Sequence, residues 1–352
     1  MERLVEDGQY LTAGLARISP DGWSEHAMVG AGLNRSALPR MRVASISKAA
    51  TAYATLSLVA EGILSLQEDV LERLGWRGPP GITLESLLNH TSGLRDDAGY
   101  IIQPPDEFAD FIGNARLHSQ PGTFFTYSNL NYMLLGHLLE AAKGASFDAV
   151  LRTHALSPAG INGGFNWAGV PPTDRTDRLP MYQRQGADLV LEADGPDADW
   201  DADLIWQGGR GVALRDHALG RTTSVFSPHA GLRANVLELA QLARLIGSQS
   251  AAGQMMRQET WRYNPTRPNG RDCDGLFPAQ GRGVTLYEGH PRIPGPLVGH
   301  AGHALGFTGG AWYNTASGTA WAYTLTGSAD LTEGQSDEVF YPDEELLFLE
   351  AF

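Results

Sequence analysis

Strand-like segments stand at both ends of this chain and helical ones fill its middle. Tyr10 to Ile18 and Trp23 to Val29 read as two strands joined by the turn Pro20-Asp21-Gly22. Near the other end, Leu297 to Gly302, Phe307 to Asn314 and Thr319 to Thr326 read as three more. Strands so far apart in sequence pack most simply as one sheet drawn from both termini. The expected fold is therefore α+β, an antiparallel sheet flanked by helices with a mainly helical insertion. The boundaries are residues 1–60 and 225–352 for the sheet domain and 61–224 for the insertion.

The helical signals are local. The stretch from Ala49 to Ala60 is helical and ends at Gly62. Ser86-Leu87-Leu88 belongs to a short helix after Thr83. Asn131 to Ala142 reads as an apolar helix stopped by Lys143-Gly144, a basic last turn and a glycine cap. Asn235-Val236-Leu237-Glu238 has capping-box character and opens a helix running to Gly247. Glu344 to Phe352 reads as a short closing helix.

Within this frame Ser45 stands three residues before Lys48. The chain has 26 Lys plus Arg, yet Lys48 and Lys143 are its only lysines. Residues i and i+3 share a helix face, so Lys48 reaches the Ser45 hydroxyl. A serine hydroxyl is a poor nucleophile until its proton is removed, and a buried lysine loses its own proton readily enough to help. The pair suggests acyl transfer through a Ser45 ester. Alone it is weak evidence, since chance gives such a pair in roughly one chain in nine of this make-up. The ordinary alternative is an exposed lysine near a helix start.

Two later segments add the missing partners. Tyr127-Ser128-Asn129 lies in a loop before the Asn131 helix, after Pro121-Gly122-Thr123. There Tyr127 suits a phenolic proton shuttle and Asn129 suits a substrate amide; a core tyrosine with a satisfied hydroxyl is the alternative. His300-Ala301-Gly302 lies on a strand, whereas the same pattern at His229-Ala230-Gly231 leads into a loop and helix. His300 on a strand edge beside Ser45 would present a cation or a hydrogen-bond donor to the substrate. The N–H groups of His303 and Ser45 would form an oxyanion hole. His300 and His303 also invite a zinc reading, but no second ligand cluster has metal-site spacing.

These segments, in this order, resemble the serine β-lactamase/penicillin-binding-protein superfamily. The match is nearest to its class C β-lactamase-like branch, with DD-peptidase, D-aminopeptidase and family VIII esterase relatives. The resemblance rests on Arg42 to Lys48, Leu87 to Leu94, Pro121 to Asn129 and Gly299 to Gly302. It extends from about Tyr10 to Thr326 and is weak from Ala168 to Arg221. It implies Ser45 as nucleophile, Lys48 and Tyr127 as proton carriers, and Asn129, His300, Gly302 and His303 as substrate-binding residues. His-Ala-Gly stands where class C β-lactamases carry Lys-Thr-Gly. That change, with Tyr-Ser-Asn for Tyr-Ala-Asn, points toward esterase or D-amino-acid peptidase and amidase activity rather than a true β-lactamase. Glu85 to Asn89 copies the class A deacylation loop but precedes Tyr127, which rules it out as deacylating base. No Gly-x-Ser-x-Gly elbow of an α/β-hydrolase is present. The other reading is a non-catalytic member that binds a ligand or partner; it has no need for Ser45, Lys48 and Tyr127 together.

Composition bounds the partners. A net charge of −14 argues against nucleic acid, and no apolar run approaches membrane-spanning length. The expected partner is a small-molecule or peptide-like acyl substrate, with no cofactor and no metal. Cys273, the lone cysteine, sits among acidic neighbours that disfavour its thiolate. The first residues show neither a basic nor an apolar leader region, so the protein reads as cytoplasmic if Met1 is the natural start and periplasmic is allowed if it is not. Asp188 to Asp203 holds seven acidic residues and no basic one. It reads as a solvated loop or as an acidic rim on a pocket.

Overall fold

A computed structural model describes residues 1–100, 108–192, 202–203, 212–213, 217–271, 276–288 and 295–328. Cys273, the closing helix over 344–352 and residues 193–201 of the acidic stretch lie outside them. Residues 188–191 of that stretch form an exposed strand.

In chain order the strands are β1 (Thr12–Ile18), β2 (Ser24–Gly30), β3 (Met41–Arg42), β4 (Gly164–Phe165), β5 (Tyr182–Gln185), β6 (Asp188–Leu191), β7 (Ala202–Asp203), β8 (Val212–Ala213), β9 (Leu232–Ala234), β10 (Trp261–Arg262), β11 (Ala279–Gln280), β12 (Thr285–Tyr287), β13 (Leu297–Ala304), β14 (Phe307–Asn314) and β15 (Ala320–Thr326). The helices are α1 (Glu2–Glu6), α2 (Ser47–Ala60), α3 (Val70–Leu74), α4 (Leu84–Leu88), α5 (Phe108–Gly113), α6 (Asn129–Lys143), α7 (Phe147–Leu151), α8 (Ser157–Ala159), α9 (Val236–Ile246) and α10 (Ala251–Arg257).

Eight strands form one antiparallel sheet in the order β10-β11-β12-β13-β14-β15-β1-β2. The amino-terminal hairpin thus docks onto the last described strand, Thr12 opposite Thr326 and Ile18 opposite Ala320. The fold is the expected α+β class. Side chains alternate across a strand, and β15 shows what the alternation accomplishes. Ala320 and Ala322 face the main core with Ala311 and the helices. Trp321, Tyr323 and Leu325 face a second core with Trp312 and Leu4 of α1. Alanines on the first face let α9 approach closely, and aromatic bulk fills the other face beneath a short helix.

α2 runs through the centre. Its residues 47–56 are all buried, the pattern of a helix enclosed on every side rather than of a surface helix. Alanine, serine and threonine supply most of that surface, so neighbouring helices approach near its backbone. The three-stranded sheet β3-β9-β4 adjoins its start, where the Leu232 N–H donates to Ser47 Oγ at 3.0 Å. Among the described residues no helix is long and apolar enough to cross a membrane.

Candidate active site

Ser45 does not sit in α2 itself. It occupies a 3-10 turn, Ala44–Ile46, that leads into the helix. The i to i+3 reach survives this, because residues three apart nearly eclipse in a 3-10 turn. Lys48 Nζ donates to Ser45 Oγ at 2.9 Å. Ala44, just before the serine, has φ +48°. A side chain in that left-handed region is strained, a condition concentrated at functional sites.

Lys48 is 0% exposed. Burial drives its pKa down to about 7, opposed by the negative charge of Asp96. Its ammonium also donates to the His229 carbonyl at 3.1 Å. That carbonyl belongs to the second His-Ala-Gly segment, set aside on sequence grounds as a third motif; it enters the site through its backbone.

Tyr127 lies over the lysine, with Nζ 4.8 Å from the ring centroid. Its ring is sandwiched, stacking on His90 at 4.5 Å and on Phe277 at 5.0 Å. His90 itself has φ +59°. Its Nδ1 accepts from the Ser128 N–H at 3.2 Å and from Asn131 Nδ2 at 3.0 Å, so the ring proton rests on Nε2. Burial and the nearby Lys48 push the His90 pKa well below its ordinary value, which keeps the ring neutral.

Asn129 opens α6, two residues earlier than its sequence pattern suggests. The cause is Asp96. This carboxylate accepts from Ser128 Oγ at 2.6 Å, from the Asn129 N–H at 2.8 Å and from the Leu130 N–H at 3.3 Å. It also accepts from Asn129 Nδ2 at 2.9 Å. A carboxylate at exposed N–H groups of a first turn caps them and meets the favourable end of the helix dipole.

β13 brings the third motif. β12 pairs with its first three residues, Leu297 to Gly299, and the 3-10 turn of Ser45 packs against the strand farther along, at Gly302. A Cβ built on Gly302 would stand 2.7 Å from the Val43 carbonyl and 3.3 Å from the Ile46 nitrogen. Only glycine allows that approach. His300 is buried, with its ring 6.3 Å from that of Tyr127. Burial and Lys48 lower its pKa to about 3, so it is neutral at ordinary pH. His303, half-buried, lies one residue beyond Gly302 and opposite Thr308. Among the described residues no group of three or more His, Cys, Asp or Glu could hold a metal ion.

The structure therefore brings Lys48, Tyr127 and His300 together beside Ser45, with Gly302 packed against its turn and Asn129 joined to the group through Asp96. The sequence reading missed Asp96, His90, Phe277 and the His229 carbonyl. His90 lies inside the Leu87–Leu94 segment noted above. Nothing local marks the other three.

A model of the Beta-lactamase family matches residues 4–342. Over 130 residues the chain is 34% identical to Penicillin-binding protein 4* of Bacillus subtilis (strain 168), covering 34% of this chain and 29% of that protein. It is 31% identical over 131 residues to Protein flp of Staphylococcus aureus (strain N315), covering 34% of this chain and 26% of that one. The chain thus spans under a third of the length of these curated relatives. Two solved structures share its fold. D-amino acid amidase from Ochrobactrum anthropi SV3 complexed with D-phenylalanine superposes with a TM-score of 0.71 at 18% identity, over 99% of this chain and 96% of that one. A D-stereospecific amidohydrolase from Streptomyces sp. gives 0.67 at 19% identity, over 94% and 93%.

Proposed function

Because this chain belongs to the Beta-lactamase family, we propose that it is a serine hydrolase working through a Ser45 acyl-enzyme. One observation carries the reading: a wholly buried Lys48, its pKa about 7, within hydrogen-bonding distance of Ser45 Oγ. Near neutral pH a large fraction of such a lysine is unprotonated and able to accept the serine proton.

Ser45 Oγ attacks the substrate carbonyl while its proton passes to Lys48, directly or by way of Tyr127. The carbon–nitrogen or carbon–oxygen bond of the substrate breaks, and the leaving group takes up that proton. Water then attacks the ester, releasing a carboxylic acid and restoring Ser45. The N–H groups of Ser45 and His303 receive the oxyanion, and Asn129 and His300 orient the substrate. Amides and esters of amino acids or short peptides suit the site better than β-lactams. A neutral His300 offers no charge to a substrate carboxylate, and charge-assisted hydrogen bonds are about twice as strong as neutral ones. The amidase fold neighbours lean the same way.

The test is intact-protein mass after incubation with a fluorophosphonate. One adduct on the protein and none on Ser45→Ala is expected. Labelling of the alanine variant, or of Cys273, would overturn the assignment. No adduct on either would favour a non-catalytic binding role.

A further inference from the structure

His90 grips the loop that carries Tyr127 at three points: its backbone carbonyl, its ring face and its Nδ1. The carbonyl accepts from the Thr126 N–H at 2.9 Å. The ring stacks on Tyr127, and Nδ1 accepts from the Ser128 N–H at 3.2 Å. His90 does this from a left-handed backbone, φ +59°, a conformation uncommon outside glycine that persists where the surroundings enforce it. Phe277 closes the other face of the phenol, nearly parallel to it at 9°. The His90 ring is itself locked. A backbone N–H only donates, so Ser128 makes Nδ1 the bare nitrogen. Asn131 must then turn its amide nitrogen to Nδ1, at 3.0 Å, and its oxygen to Ser92 Oγ, which donates at 2.6 Å. Ser92 Oγ accepts in turn from the Leu94 N–H at 3.1 Å. Ser92 and Asn131 are fully buried, so solvent does not compete for these bonds.

We propose that His90 is the positioning residue for Tyr127: locked as the Nε2–H tautomer by Ser128, Asn131 and Ser92, it clamps the phenol in the one attitude that serves proton transfer between Ser45 and Lys48. His90 makes no hydrogen bond to Ser45 or Lys48. Its route to the chemistry runs through Tyr127, whose ring centroid lies 4.8 Å from Lys48 Nζ. Without the clamp the phenol turns about its side-chain bonds, and proton transfer falls off steeply with misplacement. The inference rests on the reading in which Ser45 is acylated and Tyr127 carries its proton.

The experiment measures the rate of fluorophosphonate labelling of Ser45 by intact mass in the unaltered protein, His90→Asn, Tyr127→Phe and the double variant. Asparagine accepts a left-handed backbone and keeps an acceptor in the place of Nδ1, so the Ser128 bond survives while the stacked ring is lost. His90→Asn is expected to slow labelling by roughly 100-fold, and Tyr127→Phe by at least as much. The double variant is expected to label as Tyr127→Phe does, because the clamp then has no hydroxyl left to aim. A residue that only supports the fold would multiply the two losses. Multiplied losses, or full-rate labelling in either single variant, would overturn the proposal. Asn131→Asp keeps the test open if His90→Asn folds poorly. Its carboxylate has no proton to give Nδ1 and draws one onto it, which breaks the Ser128 bond. Nitrogen-15 NMR of histidine-labelled protein is expected to show His90 as the Nε2–H form, lost in Asn131→Asp together with rapid labelling. An Nδ1–H form in the unaltered protein, or labelling indifferent to the loss, would overturn the lock. Absence of Ser45 labelling in the unaltered protein defeats the underlying hydrolase reading instead.

Discussion

Lys48 costs the folded protein stability, and the same burial lowers its pKa. The unfolded lysine keeps its proton up to about 10.5, whereas the folded one releases it near 7. Between these values the unfolded state binds more protons, so stability rises with pH across the window, at up to about 1.4 kcal/mol per pH unit. Below 7 the full cost of burying the amine is present. The groups around it do not mask this. His90, His229 and His300 are held neutral by lowered pKa values, and burial pushes the Tyr132 hydroxyl upward. Asp96 and Tyr127 also face Lys48 and are common to both proteins in the comparison. Lys48→Met is therefore expected to be inactive yet more stable near pH 6. Its advantage over the unaltered protein in urea denaturation should shrink steadily toward pH 10. A constant difference across that range would mean that the amine is not buried uncharged.

At the scale of elements, the site depends on how closely β13 lies against the Ser45 turn. Gly302→Ala would place a methyl group 2.7 Å from the Val43 carbonyl. Relief by a shift of the strand moves His300 and His303 away from Ser45. Displacements on the order of 1 Å can cost about 100-fold in rate. Gly302→Ala should lose activity on that scale while its melting temperature falls by only a few degrees; an alanine variant with unimpaired kcat would show that the contact is slack. Elements built from local signals were legible in the sequence. The capping box of Asn235 and Glu238 opens α9, and Gly144, φ +61°, closes α6. The start of α6 was not legible, because its cap comes from Asp96, thirty-three residues upstream of Asn129. Strands β10 to β12, two or three residues each, are too short to display an alternating pattern. In the site, Ser45 and Lys48 were visible through spacing. A backbone acceptor such as the His229 carbonyl has no residue type to betray it, and the Tyr127 sandwich between His90 and Phe277 exists only after folding.

For the molecule as a whole, Glu238 joins parts that the chain keeps far apart. It accepts from Arg40 Nη2 at 2.8 Å and Nε at 3.2 Å, and Asp174 reaches the same guanidinium at 3.5 Å. Glu238 also accepts from the N–H groups of Asn162 at 2.9 Å, Gly163 at 3.2 Å and Asn235 at 2.9 Å. One buried carboxylate thus ties the approach to β3, the approach to β4 and the start of α9. Glu238→Ala leaves the buried Arg40 with only its longer contacts to Asp174, at 3.5 Å. Removing one member of a buried pair typically costs about 3–5 kcal/mol. Equilibrium denaturation should reveal a loss of that order, and Ser45 reactivity should fall in proportion to the unfolded fraction. A loss below about 1 kcal/mol would show that water replaces the carboxylate.

The scarcity of lysine has a practical side. With Lys48 enclosed, Lys143 is the only exposed lysine side chain, and it ends the helix whose other end carries Asn129. Fifteen helical residues span about 22 Å. An amine-reactive resin or surface would therefore grip the protein at Lys143, apart from its α-amino group, and hold it with Asn129 and the candidate site remote from the support.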